Sequence, residues 1–225
     1  GNYYLTYPYV RENTEVLGYA MSKNPMGPYE YKGIIMAEHE NGCWTNHHSI
    51  VKYKGQWYLF YHHNAFSPDF DKNRSAQIER LYFNEDGTIR EVRPTMRGVG
   101  PVKASHKIHI DRYSSMEGAR IEYLDTSDYF KGWKTVFANA GDYVAFNEVD
   151  FGKEAPKNLT IRVKAAADAS LEVVAGKTVV KTDVAKTEDW AEVSFPMPAK
   201  VKGMQNITVR LKTDADVEVD WITFK

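Results

Sequence analysis

The amino-acid sequence predicts an all-β protein whose composition changes part-way along the chain. Strand signals recur throughout the 225 residues, because runs rich in Tyr, Val, Ile, Thr and Trp alternate with turns rich in Gly, Asn, Asp and Pro. The composition shifts from His, Pro, Tyr and Met before residue 100 to Ala, Val, Lys and Asp after Gly152. No long amphipathic helix pattern interrupts the strands. We therefore expect two all-β domains with a boundary near residue 100.

Charge and hydropathy exclude several classes of partner. The formal net charge is -1 and the sequence pI is near 6.7, whereas a nucleic-acid-binding domain carries a basic face. No stretch approaches the roughly 18 apolar residues of a membrane-spanning helix. Cys43 is the single cysteine, so no intrachain disulfide can form. We expect neither nucleic acid nor a membrane as a partner.

An internal repeat organises the first part of the chain. Residues 1–7 (GNYYLTY) recur as residues 55–61 (GQWYLFY), at an offset of 54 residues. Repeats of roughly 40–50 residues built from short strands are typical of β-propeller blades. Two blades cannot close a propeller, so we expect the other blades to lie upstream of Gly1 or in another chain.

The second part reads as a separate β-domain. Gly and Pro in residues 96–101 (MRGVGP) indicate a connection, and we predict a linker over residues 101–107. From residue 108 to residue 224 the strand signals recur every 10–15 residues, which is typical of a β-sandwich. We predict this sandwich over residues 108–225.

Five motifs in the first part carry a family resemblance. They are YYLTYP (3–8), YAMSKNPMGPY (19–29), NHHSI (46–50), WYLFYH (57–62) and RSAQIERLYFNEDG (74–87). Through them, residues 1–100 resemble the end of glycoside hydrolase family 43, whose members fold as five-bladed β-propellers. The resemblance implies that this chain covers about the last two blades.

A second set of motifs covers the rest of the chain. They are DRYSSM (111–116), GDYVAF (141–146), VDFG (149–152), DW (189–190) and DWI (220–222). Residues 108–225 resemble a carbohydrate-binding module of family 6, which folds as a β-sandwich of the jelly-roll type. The resemblance implies a hemicellulose polysaccharide or oligosaccharide as the partner.

The first resemblance implies that the catalytic carboxylates lie outside this chain. Glycoside hydrolysis needs two carboxyl groups that flank the bond, and inverting enzymes such as those of family 43 use one as base and one as acid. In that family the base, a second aspartate and the acid come from earlier blades. We therefore expect no catalytic residue here. Glu12 and Glu15, in a polar turn, are interpreted as part of a solvated loop.

The resemblance assigns supporting roles to three residues of the first part. His47 matches a family histidine near a bound ion and water, Arg74 matches an arginine that reaches the sugar, and Trp44 matches the pocket rim. The alternative for His47 is a hydrogen-bonded histidine at a strand start. The alternative for Arg74 is a surface salt bridge with Asp69 or Asp71.

Sugar recognition in the module is expected to combine aromatic stacking with polar contacts. The family places an aromatic pair at the loop end of the sandwich, and Trp190 and Phe137 match its two members. Glu122 matches a polar ligand contact. Glu218 stands where the family commonly has Asn, so an amide is replaced by a carboxylate that only accepts hydrogen bonds.

The module family also commonly holds a structural calcium. Asp111 and Asp220 match its carboxylate positions. His109 stands where an oxygen ligand is usual, and nitrogen suits calcium poorly. Calcium binding therefore stays open in the sequence.

Three functions remain open. The chain is the end of an arabinofuranosidase or xylosidase acting on arabinoxylan or xylan, a non-catalytic sugar-binding fragment, or part of a different propeller enzyme such as an arabinanase. The first reading implies a secreted, periplasmic or cell-surface protein.

Overall fold

A computed structural model describes residues 1–39, 42–64, 66, 72 and 74–225 of the chain. The chain forms two compact units, Gly1–Val99 and Gly100–Lys225. Within the described residues both units consist of β-strands, and helical structure is limited to one 3-10 turn at Tyr129–Lys131. The all-β prediction is confirmed. No helix among the described residues has the length and apolar character that crossing a bilayer requires.

The first unit contains two three-stranded antiparallel sheets. Their strands are β1 (Tyr3–Val10), β2 (Glu15–Ser22), β3 (Glu30–Met36), β4 (His48–Tyr53), β5 (Gln56–His63) and β6 (Ser75–Leu81). The sheet orders are β1-β2-β3 and β4-β5-β6. The sequence repeat falls on β1 and β5. A tight turn joins β4 to β5, with Lys54 at φ 47° and Gly55 at φ 86°, as a type I′ hairpin requires.

Both sheets contribute to the core of the first unit. Its buried members are Leu17, Tyr19, Ile35, Met36, Leu59, Tyr61, Leu81, Ile89 and Val92. Two backbone groups beyond β6 bond back to the first sheet. The Ile89 amide donates to Tyr19 Oη at 3.0 Å, and the Val92 amide donates to the Ile35 carbonyl at 2.7 Å. These bonds anchor the end of the unit on its beginning.

The second unit contains two six-stranded sheets. Its strands are β7 (Val102–Lys103), β8 (Ile108–His109), β9 (Ser115–Glu117), β10 (Arg120–Tyr123), β11 (Trp133–Phe137), β12 (Tyr143–Asp150), β13 (Asn158–Ala165), β14 (Ala169–Ala175), β15 (Thr178–Val184), β16 (Ala191–Pro196), β17 (Met204–Leu211) and β18 (Val217–Phe224). One sheet has the order β10-β11-β18-β13-β16, with β8 beside β18, and the other has the order β15-β14-β17-β12-β7, with β9 beside β12.

One apolar core serves both sheets of the second unit. Along β13 the side chains of Leu159, Ile161, Val163 and Ala165 are buried, and the residues between them are half-buried. Strands β12, β14, β17 and β18 contribute further core residues. Because side chains alternate between the two faces of a strand, the polar residues between these core positions form the outer face of each sheet.

The structure corrects the predicted linker over residues 101–107. Strand β7 pairs in parallel with β12, so that Val102 lies opposite Val149. Ala104 is buried in the core of the second unit, and its carbonyl accepts a hydrogen bond from the Phe224 amide at 2.9 Å. The segment therefore belongs to the second unit. The Gly and Pro residues that indicated a linker only bring the chain to this strand.

Candidate functional site

The four predicted sugar-binding residues lie on or next to the sheet that contains β10, β11, β18, β13 and β16. They are Glu122, Phe137, Trp190 and Glu218. Glu122 on β10 is paired with Lys134 on β11, and Glu218 on β18 is paired with Lys164 on β13. Glu218 is half-buried between Val217 and Val219, which are fully buried in the core. Glu218 therefore points to the outer face of the sheet.

Lys134 connects the two predicted sugar-binding carboxylates. Its Nζ lies 3.0 Å from Glu218 Oε1 and 3.7 Å from Glu122 Oε2. Arg120 Nε donates to Glu122 Oε1 at 2.7 Å. The sequence did not single out Lys134, because only the strand order brings it between these carboxylates. Its ammonium supplies the hydrogen-bond donors that Glu218 lacks.

Trp190 lies just before β16, at the opposite edge of the sheet from β10. The guanidinium of Arg162 covers one side of the ring, with Arg162 Cζ 4.8 Å from the ring centroid. The side chain is half-buried, which leaves part of the ring in contact with solvent. Strands β16 and β18 are separated by β13, so Trp190 and Glu218 lie roughly 10 Å apart across the sheet.

Phe137 does not form the predicted aromatic pair with Trp190. Its side chain is 0% exposed and belongs to the core of the second unit. Along β11, Lys134 points to the outer face, and the odd-numbered Thr135 and Phe137 point the other way. The motif match identified the position of Phe137, but the strand alternation decides its direction. The prediction that Phe137 stacks on a sugar is therefore wrong.

The predicted calcium ligands are engaged with cationic side chains. Asp220 is 5% exposed, and its carboxylate pairs with the Arg162 guanidinium and lies 3.5 Å from His109 Nδ1. Burial raises the pKa of Asp220, but the hydrogen bonds from His109 and Arg162 outweigh burial and lower it. The bond to Asp220 raises the pKa of His109. Asp111 is buried beside Arg112, with Nε to Oδ2 at 3.1 Å.

For the calcium that the sequence leaves open, these residues offer few free oxygen atoms. Calcium takes six to eight oxygen ligands, and both carboxylates here are already bonded to a guanidinium. His109 offers nitrogen where oxygen is needed. In the part of the chain that the structure describes, no group of three or more His, Cys, Asp and Glu side chains is arranged to hold a metal. Arg162 occupies the electrostatic role that a cation would have beside Asp220.

The predicted residues of the first unit cluster at one end of the β4-β5-β6 sheet. His47 precedes β4, Arg74 precedes β6, and β5 ends at His63 opposite Ser75. His47 is exposed, its Nδ1 lies 3.3 Å from the Thr45 carbonyl, and Trp44 is 40% exposed nearby in sequence. Arg74 is also exposed.

The sequence offered structural alternatives to the predicted roles of His47 and Arg74. The hydrogen bond of His47 to Thr45 is present, in line with a histidine anchored at a strand start. Asp69 and Asp71, the salt-bridge partners considered for Arg74, lie outside the described residues.

A stacked pair of histidines in the first unit, one buried and one half-buried, was missed by the sequence analysis. His39 stacks on His63, with ring centroids 4.4 Å apart. Burial lowers the pKa of His39 to about 3, with a further contribution from the charge of His63, and burial lowers the pKa of His63 to about 4. Asn46 Nδ2 lies 3.3 Å from His39 Nε2. Both rings are therefore neutral near pH 7, and no sequence pattern distinguishes them from the exposed His47.

Comparison with known families gives two matches. Residues 111–225 match the family described as "Carbohydrate binding module (family 6)". Residues 1–89 match the family described as "Glycosyl hydrolases family 43". Both resemblances predicted from the motifs are confirmed.

Curated relatives match the chain over part of their length. A "Beta-xylosidase" of Xylanibacter ruminicola is 43% identical over 93 residues, which are 41% of this chain and 28% of that protein. An "Arabinoxylan arabinofuranohydrolase" of Paenibacillus polymyxa is 27% identical over 168 residues, which are 70% of this chain and 26% of that protein. The chain thus spans about a quarter of the length of these relatives.

A solved structure is similar in fold. The family 43 arabinoxylan arabinofuranohydrolase from Bacillus subtilis, crystallised with cellotetraose, matches 100% of this chain and 52% of its own, with a TM-score of 0.59 and 21% identity. At this identity the likeness concerns the fold alone.

Proposed function

The chain belongs to carbohydrate-binding module family 6 through residues 111–225, and from that membership we propose that its second unit binds hemicellulose oligosaccharides. The observation that carries the proposal is the Glu122–Lys134–Glu218 cluster on the outer face of the sheet. Trp190 lies next to the edge strand β16 of the same sheet. The unit is proposed to be a β-sandwich of the jelly-roll type.

The chemistry of this face suits a neutral sugar. Sugar hydroxyl groups need both donors and acceptors, and Lys134 offers donors between the acceptors of Glu122 and Glu218. Trp190 adds an apolar ring against which the C–H groups of a pyranose can pack. The guanidinium behind the ring, from Arg162, holds it in one orientation.

We further propose that the first unit is the closing part of a five-bladed glycosidase propeller that hydrolyses arabinofuranosyl or xylosyl linkages with inversion. Support comes from the family match of residues 1–89 and from relatives named for xylosidase and arabinofuranohydrolase activity. The proposed supporting residues are His47, Arg74 and Trp44, with an ion near His47. The catalytic carboxylates would come from residues other than those of this chain, and the intact protein would be secreted, periplasmic or cell-surface.

Calorimetric titration of the 225-residue chain tests the binding proposal. We expect xylo- and arabinoxylo-oligosaccharides to bind with a Kd between about 1 μM and 1 mM. Trp190→Ala should weaken binding about tenfold, because one ring face contributes roughly 1–2 kcal/mol. Lys134→Met should also weaken it, because it removes the donors between the carboxylates.

A matched control separates these effects from general loss of aromatic surface. Tyr53 is 61% exposed on β4 of the first unit, so Tyr53→Ala should leave binding unchanged. Undiminished binding in both Trp190→Ala and Lys134→Met would move the site elsewhere. Absence of binding to every hemicellulose fragment would refute the proposal.

A separate assay addresses hydrolysis. The chain alone should not release sugar from aryl arabinofuranosides or xylosides. Turnover by the purified chain that disappears in Glu12→Gln or Glu15→Gln would contradict this. The Glu15 carboxylate accepts the Asn46 amide at 2.9 Å, so it already has a structural role.

A further inference from the structure

Three aromatic rings form a continuous stack on the β10–β11 hairpin. Tyr123 is paired with Trp133 across the two strands, and their ring centroids lie 4.1 Å apart in a stacked arrangement. The Tyr129 ring also contacts Tyr123, with ring centroids 4.3 Å apart and the two planes tilted by 32°. We call Trp133, Tyr123 and Tyr129 the aromatic ladder. Phe130 follows Tyr129 at its outer end.

The outer end of the ladder is exposed to solvent. Tyr129 is 62% exposed, and Phe130 is 102% exposed. In the described residues of the second unit, two other large hydrophobic side chains are exposed, and both are aliphatic: Val179 and Met204. An adjacent pair of exposed aromatic rings is costly in water and marks an interaction site in many proteins.

Local hydrogen bonds fix the backbone that carries the exposed rings. They lie on the 3-10 turn, whose N-cap Asp128 accepts the Phe130 amide at 3.1 Å. The Leu124 amide donates to the Gly132 carbonyl at 2.9 Å, which closes the loop between the strands. A loop whose backbone is ordered before binding loses less conformational entropy when a ligand covers it.

Within residues 124–132, Lys131 pairs with Asp125, and the Asp128 carboxylate caps the 3-10 turn. Lys131 Nζ lies 2.6 Å from Asp125 Oδ2, and Asp125 Oδ1 accepts the Ser127 hydroxyl at 2.6 Å. The surface thus combines flat apolar rings with one ion pair and one further carboxylate, that of Asp128. This suits a ligand that has apolar faces and hydroxyl groups but no charge, such as a pyranose chain, better than an acidic peptide or a phosphate.

We propose that the aromatic ladder and Phe130 form a second stacking site, which takes a neutral pyranose polysaccharide main chain. The inference rests on the proposed sugar binding and extends it to the other edge of the sheet and, because Trp133 alternates with Lys134 along β11, to the opposite face of that sheet. Strands β10 and β16 lie at opposite edges, four strand spacings or about 19 Å apart. A short oligosaccharide held at Trp190 does not reach the ladder, whereas a polymer supplies further units, from the same or another polysaccharide chain, that can occupy it.

The test compares polymer and short oligosaccharide on the full 225-residue chain. Binding to insoluble and soluble xylan is measured by depletion and affinity electrophoresis, and binding of xylobiose by calorimetry. The double variant Tyr129→Ala/Phe130→Ala should bind the polymer about tenfold more weakly, because binding then no longer buries the apolar face of an aromatic ring. Its affinity for xylobiose should stay within about twofold of the parent.

Three further variants make the test specific. Tyr129→Phe keeps the ring face and should bind the polymer like the parent. Met204→Ala removes an exposed aliphatic side chain of β17, on the other sheet, and should have no effect. Trp190→Ala should weaken binding of both polymer and xylobiose. Superimposable urea unfolding curves of parent and double variant show that the fold is kept.

Two outcomes would overturn the ladder site while leaving the proposed function intact. One is parent-like polymer binding by the double variant together with loss of binding in Trp190→Ala. The other is concentration-dependent self-association of the parent in sedimentation that the double variant abolishes, because the rings would then contact a second copy. Failure of the parent chain to bind any polysaccharide would refute both proposals.

Discussion

Replacing Arg162 by Ala should destabilise the second unit and weaken sugar binding together. The guanidinium pairs with Asp220, which is 5% exposed, and its other side covers the Trp190 ring. The substitution leaves a buried carboxylate with His109 as its remaining neighbour, at 3.5 Å. A buried charge that loses its partner is far more costly than the same charge at the surface.

The expected loss is about 3 kcal/mol of unfolding free energy. Removing one member of a buried ion pair costs roughly 3–5 kcal/mol, and we take the lower end because the Arg162 side chain is 28% exposed. Asp220→Asn should cost about 1 kcal/mol, because the exposed part of Arg162 can then bond to water. The double variant should cost less than the sum of the two, with a coupling of roughly 1–2 kcal/mol.

Urea unfolding followed by tryptophan fluorescence measures these effects. Lys181→Ala, at an exposed position of β15, is the control and should change stability by less than about 0.5 kcal/mol. Calorimetry on the same samples should show Arg162→Ala weakening oligosaccharide binding, because the Trp190 ring loses its support. A change within about 0.5 kcal/mol for Arg162→Ala, or strictly additive costs, would refute the reasoning.

Three further predictions follow from burial and charge. His39 and His63 have native pKa values below the unfolded value of about 6.5, so the unfolded state binds protons first as the pH falls. The free energy of unfolding is therefore complete above pH 6.5 and drops below it, by up to about 2 kcal/mol per histidine at pH 5. Equal urea midpoints at pH 7.5 and pH 5 would contradict this. Because Asp111 and Asp220 are bonded to guanidinium groups, neither a chelator nor added calcium should change the Tm of the second unit in calorimetric scans. Phe137→Tyr should destabilise by roughly 1–3 kcal/mol in urea unfolding, since it puts a hydroxyl into an apolar core, and a stable variant with tighter sugar binding would restore the stacking role.

Features encoded by neighbouring residues could be predicted from the sequence. The alternation in residues 158–165 (NLTIRVKA) determines which side chains of β13 enter the core, and the structure follows it. The repeat of residues 1–7 at 55–61 falls on two strands, and the Lys54–Gly55 turn closes the hairpin before the second of them. Hairpins and alternation depend on local geometry, which a single sequence contains.

Features that depend on distant pairing were missed or misassigned. Arg162 and Asp220 are 58 residues apart and meet only because β13 lies beside β18. Lys134 lies between two carboxylates for the same reason. The sequence predicts a linker at strand β7, because its partner β12 is distant in sequence and two residues carry no periodicity. Sheet order is a property of the whole chain, so residue patterns within one segment do not determine it.

The charges on the outer face of the sheet connect stability with recognition. Arg162 neutralises a buried carboxylate next to the core and also supports the ring of Trp190. Lys134 similarly holds Glu122 and Glu218 in position, from the strand between theirs. Glu122, Lys134 and Glu218 lie on strands, which hold side chains more precisely than loops do. A sugar that contacts this face therefore meets groups ordered by folding, and substitutions that loosen the ion pairs should weaken binding even where they do not contact the sugar.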